Sequence, residues 1–141
     1  MKFTSWLRVY GDQSWRGDCP TESAEQVTFM NRLRTQYADT LGRIAVHVKN
    51  EGKRHSWQAA RDKAEGLTKG AADIIIPGRI TLLIELKRRD HTKSRFQPGQ
   101  LEYLQAAHDM GAFVCVALGA DAAMCAVAAW MMSQKNTRPR V

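Results

Sequence analysis

Apolar positions along the chain fall into helical and extended periods that alternate. From residue 21, Phe29, Met30, Leu33 and Tyr37 recur at helical spacing, behind Thr21 as N-cap and with Glu22 and Glu25 in the first turn. A helix to about Ala38 follows. At 100° per residue Glu22 and Gln26 project close to that apolar stripe, and Glu25 falls roughly 100° from its centre. Ile44, Val46 and Val48 then alternate, which predicts a strand over 43–48. Ser56 caps a helix to Glu65, with Trp57, Ala60 and Ala64 expected inward and Gly66 closing it.

Two apolar runs, 74–76 and 80–86, flank Pro77-Gly78 and read as a β-hairpin buried on both faces. A polar, cationic loop covers 88–95, and Pro98 suits the first turn of a helix over 98–109 that turns Leu101, Leu104 and His108 inward. Gly111 ends that helix, 112–118 is another buried strand, and Asp121 caps an Ala-rich helix to Ser133. Residues 134–141 form a basic tail, and 1–20, interrupted by Gly11, Gly17 and Pro20, are an N-terminal extension whose aromatic residues pack on the body. The whole is a single α/β domain, 1–141, with a mixed central sheet flanked by helices.

Three ionisable residues break the hairpin's pattern. Glu85 and Lys87 are two apart, on one face of the second strand, and antiparallel pairing brings Asp73 opposite them. Two carboxylates and an ammonium thus meet at the edge of an apolar sheet, where charges are costly unless paired or bound to a cation. A cross-strand ion pair with Asp73 as a turn residue is the plainer reading. As a metal site, the carboxylates with a nearby main-chain carbonyl suit Mg²⁺ or Mn²⁺, and Lys87 is placed to orient water or offset charge on a phosphate.

Charge favours the second reading. Residues 43–95 carry 13 Lys and Arg against 6 Asp and Glu, the entire net charge of +7. A positive field around a carboxylate site fits a polyanion held over a metal, and makes Lys53, Arg54, Arg88, Arg89, Lys93 and Arg95 the candidate nucleic-acid contacts. No run approaches the roughly 18 to 20 apolar residues of a membrane span, and no apolar leader opens the chain. Cys19, Cys115 and Cys125 are odd in number and lack metal-ligand spacing; Cys115 and Cys125 are expected to be buried thiols in a reducing, cytoplasmic setting. His55 and His91 are expected to be solvated or to contact phosphate.

On these residues the chain resembles the PD-(D/E)xK nuclease superfamily, specifically the small VRR-NUC domains that stand alone in phages and are fused in repair nucleases. The likeness runs from about Glu22 to Leu118. It includes Asn50-Glu51-Gly52-Lys53-Arg54, similar to the family's Asn-Gly-Gly-Lys-Arg turn, and Ala59-Ala60, Lys63, Glu65-Gly66, Gly70, Asp73, Ile84-Glu85-Leu86-Lys87, Gln100 and Gly111. Ala72 stands where the family has proline, and Glu51 interrupts the Asn-Gly-Gly turn.

The resemblance implies a restriction-endonuclease-like α-β-β-β-α-β core. It implies Asp73 and Glu85 as metal ligands with the Leu86 carbonyl as a third, Lys87 as the catalytic lysine, and Gln100 as the glutamine that arranges the site. Glu22, or Glu25, is then the first-helix acid. The activity implied is Mg²⁺- or Mn²⁺-dependent DNA cleavage by a structure-specific endonuclease acting on branched, junction or flap DNA as a homodimer. Two other readings stand beside it: a nucleic-acid-binding module that keeps the fold without the chemistry, and a sequence-specific restriction-type enzyme.

Overall fold

A computed structural model of the protein describes residues 1–49 and 56–135. Its elements run β1 (Arg8–Tyr10), α1 (Glu22–Gln36), α2 (Leu41–Ile44), β2 (Val46–His47), α3 (Ser56–Ala64), β3 (Ile74–Ile76), β4 (Leu82–Lys87), α4 (Gln100–Asp109), β5 (Phe113–Leu118) and α5 (Ala120–Lys135). A 3₁₀ turn occupies His91–Lys93. The 50–54 turn with Lys53 and Arg54, His55 and the end of the basic tail lie outside the described residues.

The strands form one mixed sheet in the order β1-β5-β4-β3-β2. Central β4 pairs parallel with β5, from Leu82 opposite Phe113 to Lys87 opposite Leu118, and antiparallel with β3. All six residues of β4, and all six of β5, are buried, as the unbroken apolar runs require. One face carries α1 and α5: Phe29, Leu33, Ala123, Val127 and Trp130 pack on Ile74, Ile84, Leu86 and Cys115. On the other, Leu104 of α4 packs with Leu83, Val114, Val116 and Leu7. The α-β-β-β-α-β order is present as α1, β2, β3, β4, α4 and β5, so the fold is the expected α/β architecture with helices on both faces. Among the described residues no helix is long and apolar enough to cross a membrane.

Several expectations are corrected. The strand foreseen over 43–48 shrinks to Val46–His47 because the chain is still coiling: the Gly42 and Ala45 amides donate to the Tyr37 and Leu41 carbonyls, making α2. Ile44 and Val46 are left exposed at the sheet's open edge. Helix α3 forms where expected, but none of its residues is buried, because α1, α5 and α4 already cover the sheet; Trp57, Ala60 and Ala64 are exposed.

The second hairpin strand starts at Leu82, not Ile80, because α5 takes the Ile80 backbone: its amide donates to Gln134 Oε1 and its carbonyl accepts from Trp130 Nε1. Helix α4 begins at Gln100 behind Gly99, two residues after Pro98. Asp121 does not cap α5, which starts one residue earlier; Asp121 is exposed and pairs with Arg32. Residues 8–10, given no element from the sequence, extend the sheet as β1, parallel to β5. Cys125 is exposed, since the Ala-rich pattern of α5 does not fix which side faces inward.

Candidate active site

Register builds the site. Ile74 lies opposite Ile84, so Asp73 and Glu85 occupy the next position of the same ladder. Asp73 is held on both sides: its Oδ2 accepts the Leu86 amide at 2.8 Å, and its carbonyl accepts the Val48 amide at 2.8 Å and His47 Nδ1 at 2.9 Å. Gly70, three residues earlier, has φ +78°, and a Cβ there would lie 2.3 Å from the Gly99 carbonyl carbon. Only glycine lets the approach to Asp73 pass so close to the start of α4.

Alternation turns Glu85 and Lys87 to the α4 side, and both are 1% exposed. Gln100, the first residue of α4, lies between them. Its Nε2 donates to Glu85 Oε1 at 2.8 Å, and its Oε1 accepts from Lys87 Nζ at 3.1 Å and from the Gln97 amide at 2.7 Å. Lys87 Nζ also donates to the Arg95 carbonyl at 2.8 Å, and lies 5.3 Å from the centre of the Phe96 ring. It is 3.6 Å from Glu85 Oε1 and 3.8 Å from Glu22 Oε1.

Glu22 sits in the first turn of α1, where its Oε1 also accepts the Ser94 hydroxyl at 2.9 Å. Glu25 is engaged elsewhere, accepting the Ala120 amide at the start of α5. Of the two first-helix acids, Glu22 is therefore the one at this cluster.

Burial pushes the Glu85 carboxyl well above its ordinary range; the negative charge of Asp73 adds to this, and the Lys87 ammonium opposes it. Among the described residues Glu85 Oε2 has no hydrogen-bond partner. A buried oxygen without a donor, next to a second carboxylate, is a costly arrangement. A hard divalent cation fits this donor set, because it takes carboxylate oxygens and keeps waters for its remaining positions. Among the described residues no group of three or more His, Cys, Asp or Glu side chains is placed to hold a metal ion.

The cations of the 88–95 loop lie at the surface, and three of them also hold the segment before α1. Arg88 donates to the Cys19 carbonyl at 2.6 Å and the Pro20 carbonyl at 3.0 Å. Arg89 stacks 4.2 Å over Trp15, and Lys93 Nζ donates to the Gly17 carbonyl at 2.8 Å. Arg95 differs: its side chain is exposed and makes no hydrogen bond or ion pair among the described residues. It lines a groove of about 670 Å³ that opens beside Glu22, between the start of α1 and 88–97.

His91, expected to be solvated or to contact phosphate, is buried: Nε2 donates to the Gln13 carbonyl at 2.9 Å and the ring packs edge-on to Phe3. Ser94, Phe96 and His47 join the surroundings of the site without any periodicity to mark them. Their positions follow from loop and edge contacts.

No protein-family model matches the sequence, and no curated protein matches it. A solved structure described as a "VRR_NUC domain protein" is similar in fold, with a TM-score of 0.67 over 84% of this chain and 92% of that one, at 24% identity. The fold that the resemblance implies is thus the fold of that structure.

Proposed function

We propose that this protein is a divalent-metal-dependent DNA endonuclease that hydrolyses phosphodiester bonds at the Asp73–Glu85–Lys87 cluster. The observation that carries this reading is Glu85. Its carboxyl is buried, is held by Gln100 on one oxygen and has no protein donor on the other among the described residues, beside a second acid. A purely structural ion pair with Lys87 accounts for Oε1 alone. The name of the similar structure, a VRR_NUC domain protein, supports the same reaction class.

Asp73 and Glu85 would hold Mg²⁺ or Mn²⁺, with the Leu86 carbonyl as a third ligand and Glu22 acting from α1. A bound cation supplies Lewis acidity towards a phosphate and lowers the pKa of water. The chain's own groups do the rest. Asp73 is fixed by the Leu86 amide, so it needs little reorganisation to hold charge. Lys87, held by the Arg95 carbonyl and Gln100 Oε1, brings a fixed positive charge to where negative charge develops on the phosphate. Gln100 couples the two by holding Glu85 and Lys87 through one amide.

The preferred substrates are branched, flap or junction DNAs, cut by a homodimer in the cytoplasm of a bacterial or phage-infected cell. Arg95 and the groove beside Glu22 form the phosphate-facing surface in this reading. The test is cleavage of labelled linear, flapped and four-way-junction DNAs with Mg²⁺, Mn²⁺ or EDTA, wild type beside Asp73→Asn. Metal-dependent cutting that Asp73→Asn abolishes is expected. Binding without cutting on every substrate would replace the enzyme by a binding module that retains only the fold.

A further inference from the structure

The segment before α1 is the largest feature that catalysis leaves without a task, and it is laid over the loop that follows Lys87. Beyond β1, residues 11–20 meet this loop through nearly every polar side chain of 88–93. Arg88 donates to the Cys19 and Pro20 carbonyls, Lys93 to the Gly17 carbonyl and His91 to the Gln13 carbonyl, and Arg89 lies on Trp15. Four side chains of a loop rich in cations thereby rest on backbone carbonyls and a ring of the segment before α1.

Asp90 is the hub of these contacts. It is 3% exposed and uses its two oxygens in different directions. Oδ1 accepts the Thr92 amide at 3.1 Å and the Thr92 hydroxyl at 2.6 Å, which starts the 3₁₀ turn; Oδ2 accepts the Gly17 amide at 3.1 Å. These donors hold its carboxyl down at about 2, the Thr92 hydroxyl most of all, so it is ionised at any working pH.

The loop so clamped supplies one contact to each of two charged groups of the site. The Ser94 hydroxyl donates to Glu22 Oε1, and the Arg95 carbonyl accepts Lys87 Nζ. One continuous chain of contacts therefore runs from Gly17 through Asp90 and the 3₁₀ turn to Ser94 and Arg95, and from them to Glu22 and Lys87. We infer that Asp90 is a positioning residue of the site, and that residues 11–20 are a brace acting through it to hold Ser94 and Arg95, and with them Glu22 and Lys87, in place. The effect on rate rests on the nuclease reading above; the effect on geometry does not.

Asp90→Asn separates the two directions. The Asn carbonyl oxygen still serves Thr92, while its NH₂ opposes the Gly17 amide and breaks the brace. The full chain is compared as wild type, Asp90→Asn and, as a control remote from the site, Asp121→Ala. Three quantities are read: the single-turnover cleavage rate at saturating Mg²⁺, the DNA Kd without metal, and the side-chain amide resonances of Gln100, which bonds both Glu85 and Lys87.

The brace predicts a rate loss of about tenfold or more for Asp90→Asn, since small misplacements of reacting groups are costly, with Kd within about twofold because no phosphate contact is removed. The Gln100 resonances shift and the rest of the core does not; Asp121→Ala changes none of these. A wild-type rate with unmoved Gln100 resonances in Asp90→Asn overturns the brace. Should Asp90→Asn fail to fold, Asp90→Glu, whose longer side chain carries the carboxylate off the Gly17 amide, is read by the same criteria. If wild type cuts no DNA, the nuclease reading fails and the Gln100 resonances alone decide the brace.

Discussion

Gln100 donates to Glu85 Oε1 at 2.8 Å through Nε2 and accepts from Lys87 at 3.1 Å through Oε1. Each bond requires the amide to face one way, since a carboxylate only accepts and an ammonium only donates. One side chain at the start of α4 therefore sets the spacing of a buried acid and a buried base on β4. Gln100→Ala leaves both without that partner, and Gln100→Glu places a third carboxylate among them. Cleavage rates of both variants should fall by at least about tenfold, since two oriented charged groups lose their reference. Equal rates in wild type and Gln100→Ala would remove the amide from the mechanism.

Stability without metal should decline as pH rises through the elevated pKa of Glu85. The unfolded carboxyl titrates near about 4.3, and the folded one well above it. Between those values the folded state holds a proton that the unfolded chain releases, so raising pH there favours unfolding. Below the unfolded value this contribution is fully present, and above the folded value it is lost. Thermal melts in EDTA across this window should show the decline, and Glu85→Gln should flatten it and raise Tm at neutral pH.

Divalent cation should restore what ionisation of Glu85 costs. At about 100 times its Kd a ligand specific to the folded state adds about 2.7 kcal/mol. The rise in Tm with Mn²⁺ should be larger at neutral than at acidic pH, and Asp73→Asn should lose most of it. Identical Mn²⁺ shifts in wild type and Asp73→Asn would place the cation elsewhere.

The second partners of some loop cations change what their substitution should do. Arg95→Ala should weaken DNA binding and lower the slope of log K against log salt by about one for each phosphate that the arginine neutralises. Arg88→Ala should lower Tm as well as the slope, because its guanidinium holds the Cys19 and Pro20 carbonyls and also lines the groove. Binding curves at several salt concentrations, with thermal melts, check these outcomes.

Thiol chemistry checks the orientation of α5 independently. Cys115 is fully buried, and burial pushes its thiol up to about 12, so it should resist a thiolate-directed reagent until the chain unfolds. Exposed Cys125 should react in the native protein. Fast labelling of Cys115 would contradict the packing of β5.

The placing of Asp73 opposite Glu85, and of Lys87 on the same face as Glu85, was legible because it depends on two short-range rules, the period of two along a strand and the antiparallel return after Pro77-Gly78. The core strands were legible for a related reason: β4 and β5 are buried on both faces and carry unbroken apolar runs. Elements at the margins were not. Alternation at Ile44, Val46 and Val48 has the same form whether or not a layer covers it, and here Val46 is half exposed at the sheet's edge. Helix α3 shows the same limit, with Trp57 on a helix that buries nothing. Ser94, Asp90 and the 11–20 segment were invisible because irregular segments far apart in sequence meet there through single polar contacts, several of them to backbone groups, which no periodic pattern records.

Lys87 is the most direct test of the whole account, because its ammonium has no role in a metal-free binding module. The measurement is single-turnover cleavage of pre-bound labelled DNA at saturating Mg²⁺, wild type beside Lys87→Ala, with DNA affinity measured in EDTA. The account predicts a loss of rate of about 100-fold or more, in the range seen on removing one preorganised charge-stabilising group, with affinity changed only a few-fold. Lys87→Ala cutting at the wild-type rate would contradict it.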